Sequence, residues 1–129
     1  MPSPFTHKRL TDVKDSGLEF GFEGIQEARF AKRDLEAEDT GVTHLRLLPG
    51  QRSPFGHRHE KAEEVYVVIS GSGRMKLDEE IVELAALDAV RVSPPVTRAF
   101  EAGPEGLELI VVGPRHDGDG ELVRDWWVD

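Results

Sequence analysis

The chain has 129 residues, no cysteine and a formal net charge of −9. That length fits one domain able to bury a core without covalent staples, and the absent cysteines exclude disulfides, thiolate metal sites and a cysteine nucleophile. The acidic balance, with basic residues scattered and no basic stripe, argues against a nucleic-acid partner. No apolar run approaches a membrane span and Met1 to Leu10 lacks an apolar signal core, so a soluble, cytoplasmic protein with no membrane partner is expected.

Residues 1–40 are the least regular. Leu18-Glu19-Phe20-Gly21-Phe22 alternates and reads as a strand, whereas 26–37 fits either a strand or a short helix. From 41 onward, turn signals recur at short intervals: Pro49-Gly50, Gly71-Ser72-Gly73, Asp78-Glu79-Glu80, Leu87-Asp88, Pro94-Pro95, Gly103-Pro104-Glu105-Gly106 and Gly113-Pro114. The segments between them are short and rich in Val, Leu and Ile. They predict strands over 41–48, 64–70, 74–77, 81–84, 89–93, 97–101 and 107–112, hence an all-β sandwich or barrel. His44 lies in an alternating stretch and is expected to face solvent opposite Leu45 and Leu47, the lumen being the other choice. Residues 115–120 read as a polar loop. His116-Asp117-Gly118-Asp119-Gly120 hints at a calcium loop, but Arg115 and Trp126 stand where such a loop needs an acid and a Glu, so a flexible loop is expected. Trp126-Trp127 near the end would be a liability if exposed, and is expected to cover the barrel or a subunit contact.

The chemistry concentrates in His57-Arg58-His59-Glu60-Lys61-Ala62-Glu63-Glu64. On an extended strand, residues i and i+2 share a face, so His57 and His59 can converge on one point. A carboxylate at the start of the next strand can join them there. Two neutral imidazoles and one carboxylate are a common ligand set for a divalent transition metal with open coordination positions. A solvated polar pair beside ordinary surface charge is the competing reading of the same residues.

The flanking residues favour the metal. The pattern Gly50, His57, His59, Glu64, Gly71 resembles the first motif of the cupin family, in which Gly leads to His-x-His, then Glu, then Gly after six residues. The interval from Gly50 to His57 is one residue longer than usual. Glu63 and Glu64 both suit the spacing from the histidines, and only Glu64 also suits the spacing to Gly71. The resemblance spans about 41–113. It implies a double-stranded β-helix, the cupin or jelly-roll barrel, as the core over 41–113. Residues 1–40 then form an N-terminal extension with an added strand, and 114–129 a C-terminal loop and Trp-containing tail. In related proteins an N-terminal strand adds to a partner's sheet, so a homodimer is expected.

The second cupin motif is where the chain departs. Leu87 stands where a Gly is common, Pro95 where the turn Gly is common, and Arg98 where the family's fourth ligand, a His, is expected. A guanidinium stays protonated and cannot ligate. Arg98 shares parity with Phe100 and is expected to point inward, a surface position being the alternative. A metal held by two neutral His and one carboxylate carries about +1, and at ~5 Å with an effective dielectric of about 20 it would repel a guanidinium by roughly 3 kcal/mol. Two arrangements follow. In one, Arg98 pairs with Glu64 or Glu63 and the metal is weak or lost. In the other, the metal stays and an anionic ligand faces Arg98. The reading is therefore a small single-domain cupin holding Fe, Zn, Mn or Ni through His57, His59 and Glu64, and binding a small anionic organic ligand beside Arg98, Tyr66 and Phe100. Dioxygenase or isomerase chemistry is compatible with it. The alternative is a metal-free binding or regulatory cupin.

Overall fold

The computed structural model describes residues 4–116, 118–124 and 126–127. Its elements in chain order are a short 3-10 turn (Leu10–Asp12), α1 (Ser16–Glu19), β1 (Gln26–Phe30), β2 (Thr40–Leu47), β3 (Gly56–His59), β4 (Glu64–Leu77), β5 (Glu80–Ala85), β6 (Ala89–Val92), β7 (Arg98–Pro114) and β8 (Gly120–Val123). All named pairings are antiparallel. The fold is the expected all-β double-stranded β-helix.

Two long strands hold it together. The first part of β4 pairs with β6 and the second part with β5, while β7 runs alongside nearly all of β4. The second part of β7 pairs with β2, and its first residue, Arg98, lies opposite His57 of β3. Each long strand therefore belongs to both faces of the barrel. The expected strands 64–70 and 74–77 are one strand, as are 97–101 and 107–112. The reason is that the glycines between them allow a bend without a break. Register shifts fall at Val68/Ser70 and Gly71/Gly73. Gly71 has φ of 81°, and a Cβ there would run into the Gly106 carbonyl. That close approach requires glycine.

The core follows strand parity. Tyr66, Val68 and Met75 of β4 meet Phe100, Ala102, Leu107, Leu109 and Val111 of β7, joined by Leu47, Leu84 and Val92. Burying each large apolar side chain contributes about 1.5–3 kcal/mol.

The N-terminal region departs from the expected strand over Leu18 to Phe22. The Asp15 carboxylate caps α1 by accepting from Gly17 N at 2.9 Å and also accepts from Ala28 N at 3.0 Å. Gly21 and Gly24 then take positive φ. Local capping and turn chemistry override the alternating pattern. Between the two readings of 26–37, the strand holds for Gln26–Phe30, which pairs with β2.

Candidate metal centre

β3 presents His57 and His59 on its inner face and sends Arg58 outward, where its Nε donates to Glu121 at 2.9 Å. β3 lies between β8 and the start of β7. The chain then reverses over residues 60–63 and enters β4 at Glu64. Both imidazoles turn Nε2 toward the same carboxylate oxygen. His59 Nε2 lies 3.3 Å and His57 Nε2 3.5 Å from Glu64 Oε1. The rings stand edge to face, with centroids 5.3 Å apart. One ligand atom from each of the three residues lies within 4.8 Å of the others.

The electrostatics suit a cation. Burial pushes the Glu64 carboxyl up, but the adjacent His57 and His59 imidazoles and donation from the Tyr66 hydroxyl outweigh it and hold the group below the usual carboxylate range. Tyr66 is 1 % exposed and its hydroxyl donates to Glu64 Oε1 at 2.6 Å. Burial first, and then the Glu64 charge, push the Tyr66 phenol well above its ordinary value, while Arg98 pulls the other way. Tyr66 therefore stays a donor and Glu64 stays an anion. Neither ring nitrogen of His59 makes a well-aligned hydrogen bond among the described residues, although Nε2 lies 3.3 Å from Glu64 Oε1 and Nδ1 3.2 Å from Asp119 Oδ2. A buried nitrogen that lacks a well-aligned partner at the focus of two imidazoles and a carboxylate fits a divalent transition metal.

Arg98 is 0 % exposed, which removes the surface alternative. Its Nη1 donates to the carbonyls of Pro94 at 3.2 Å and Val96 at 2.9 Å. Its Nη2 lies 3.8 Å from Glu64 Oε1, an ion pair without a formed hydrogen bond, and Nε and Nη2 have no hydrogen-bond partner among the described residues. Phe100 is buried behind it, with its ring 5.3 Å from that of Tyr66. His57, His59, Glu64, Tyr66, Arg98 and Phe100 all line one cavity of about 540 Å³.

Asp119 is the site residue that the sequence reading missed. Its carboxylate is buried and accepts from the main-chain N–H of Glu60 at 2.9 Å, Lys61 at 2.7 Å and Ala62 at 3.0 Å. Its Oδ2 also lies 3.2 Å from His59 Nδ1. Burial alone would raise its pKa, and these three amides bring it below the ordinary value. The stretch expected to be a flexible loop therefore clasps the turn that joins the two halves of the metal motif. No local signal marks it, because its partners lie 57 to 59 residues away.

His44 is neither solvent-facing nor in the lumen. It is buried on the face away from the cavity, with Nε2 2.6 Å from Glu108 Oε2, and the partner acid explains why burial is tolerated. The tail covers the chain's own barrel. The guanidinium groups of Arg52 and Arg74 each lie 5.3 Å from the ring centre of Trp127, and Lys76 Nζ sits 4.5 Å from the ring centre of Trp126.

A family model described as Cupin domain matches residues 43–113. Among solved structures, the chain is similar to a cupin protein from Bacteroides fragilis, with 21% identity, 99% of each chain covered and a TM-score of 0.70. It is also similar to the polyketide cyclase RemF from Streptomyces resistomycificus, at 19% identity over 100% of this chain and 89% of that one, with a TM-score of 0.73. The oxalate decarboxylase of Lactobacillus farciminis, in its formate complex, gives 23% identity over 98% of this chain but 38% of that one, with a TM-score of 0.76. At these identities the likeness is one of fold. No curated protein matches.

Proposed function

The chain belongs to the cupin family, and on that premise we propose that it holds a divalent metal through His57, His59 and Glu64 and binds a small anionic organic molecule in the adjoining cavity. The observation that carries the reading is the convergence of His57 Nε2, His59 Nε2 and one Glu64 oxygen around a single point. A metal on three protein ligands with open positions supplies Lewis acidity or, as iron, activation of dioxygen, which suits an isomerase or a dioxygenase. The chain's own residues set the conditions. Tyr66 keeps its proton, donates it in a hydrogen bond to Glu64, and so fixes the carboxylate's orientation. Asp119 holds the 60–62 turn and lies within reach of His59 Nδ1. Arg98 supplies a cation fixed in place by the carbonyls of Pro94 and Val96.

We place the protein in the cytoplasm as a homodimer. No helix among the described residues is long and apolar enough to cross a membrane. Among the described residues β1 has β2 as its one strand neighbour, and Leu18, Phe20 and Phe30 are exposed in or near it in the chain. Such an edge favours pairing with a second copy.

Elemental analysis of untagged protein after equilibration with zinc, manganese, nickel or ferrous iron tests the metal. A single equivalent that is lost in His57→Ala and in His59→Ala supports the centre. Absence of stoichiometric metal in the wild type overturns it and leaves the metal-free binding cupin, in which the same residues form a polar recognition set.

A further inference from the structure

Arg98 is hydrogen-bonded on one side only, and on the other Nη2 has a 3.8 Å ion-pair contact with Glu64 Oε1. Nη1 is tied to two main-chain carbonyls, so the guanidinium plane is fixed. Nε and Nη2 form the opposite edge of that plane, and both are buried without a hydrogen-bond partner among the described residues. Two parallel N–H groups on one edge match the two oxygens of a carboxylate. The acids that line the cavity are otherwise engaged. Glu64 Oε1 receives the Tyr66 hydroxyl and faces both histidines, Asp119 is taken up by three amides, and Glu121 pairs with Arg58.

We propose that the Nε/Nη2 edge of Arg98 is a carboxylate-binding fork, and that the cavity takes a monocarboxylate with an apolar body. The fork belongs to the ligand site proposed above and acts with or without metal. The apolar body follows from the walls, where Ala28, Leu45, Phe55, Phe100 and Val111 line the same cavity. The single charge follows from the acids. Glu64 and Asp119 also line it, so a phosphate dianion would meet two carboxylates for one buried fork. A neutral isostere would leave the guanidinium edge desolvated with only the 3.8 Å Glu64 contact and no matching hydrogen bond, the situation that makes recognition sites reject analogues lacking the matching group.

Calorimetric titration of straight-chain carboxylates into chelator-treated and zinc-loaded protein tests the fork. Hexanoate is expected to bind both forms, at least about tenfold more tightly than hexanamide. Affinity should rise from acetate to butyrate to hexanoate by roughly three- to fourfold per methylene. Arg98→Lys keeps the charge and loses the planar edge, and is expected to weaken hexanoate by about tenfold or more. If the Arg98 variants do not fold, the acid-against-amide comparison and the chain-length series in the wild type still decide. Hexanamide equal to hexanoate, hexyl phosphate tighter than hexanoate, or no carboxylate binding to either form overturns the fork. Hexanoate binding to protein that takes up no zinc leaves the fork standing and removes the metal centre. Zinc uptake without carboxylate binding does the reverse.

Discussion

Asp119 shows how much one residue can do from outside a motif. Three amides and an imidazole share its carboxylate, so its charge reaches His59 by two routes, through the turn and through Nδ1. Asp119→Asn keeps an acceptor oxygen but removes the charge. It is expected to lower zinc affinity by about 10–100-fold, the usual cost of losing a carboxylate behind a ligating histidine. A competition titration with a chromophoric chelator measures this, and unchanged affinity would reduce Asp119 to a loop tie. Arg98→His sets an imidazole opposite His57, where the family carries its fourth ligand. Zinc affinity should rise in that variant. Zinc binding equal to wild type would mean that the new ring does not reach the metal. The convergence of His57, His59 and Glu64 was legible in the sequence because a period of two places both imidazoles on one face. Asp119 was not, because nothing local distinguishes an acid in a glycine-rich loop from an acid in a clasp.

Among the elements, the turn between β5 and β6 carries a visible cost. Leu87, at the position where the family pattern has a glycine, takes φ of 72° and is 82 % exposed. Its N–H donates to Val68 O at 2.8 Å, and the Asp88 carboxylate accepts from Ala85 N at 2.8 Å, so the turn is well tied despite the strained backbone. The left-handed region costs a non-glycine residue about 1–2 kcal/mol, and part of any gain from glycine is lost to its freer unfolded chain. Leu87→Gly should therefore raise stability by about 0.5–1 kcal/mol, read as a higher urea midpoint at unchanged slope. A lower midpoint would mean that the side chain packs usefully. The strand pattern from Glu64 to Val112 was readable from turn residues and β-branched runs. The continuity of β4 and β7 was not, because glycines that bend a strand look in sequence like glycines that end one. The short N-terminal helix was hidden for the opposite reason. Its alternation mimics a strand, and the Asp15 cap that decides the matter is a single residue.

At the scale of the whole molecule, charge pairs across strands tie stability to pH. Hydrogen bonds from Arg52 and Arg74 outweigh burial and lower the Glu101 pKa, and the His44 contact is the largest influence lowering that of Glu108. A depressed carboxyl stabilises the fold above its ordinary pKa of about 4.3 and loses that contribution as pH falls through the lower folded value. Stability should therefore fall on acidification below about pH 5. Glu101→Gln and Glu108→Gln should each flatten that fall when unfolding is followed at a series of pH values. An unchanged slope in both would show that the pairs carry no linked protons. The homodimer is checked by light scattering, where a mass near the 14.4 kDa monomer at micromolar concentration would count against it. The clasp also orders events in time. Glu60 and Asp119 are 59 residues apart, so at roughly 5–20 residues per second the histidine strand leaves the ribosome about 3–12 seconds before the residue that secures it. During that interval the histidines exist without their fastening, so a metal at the proposed centre would be captured stably only after synthesis has passed β8.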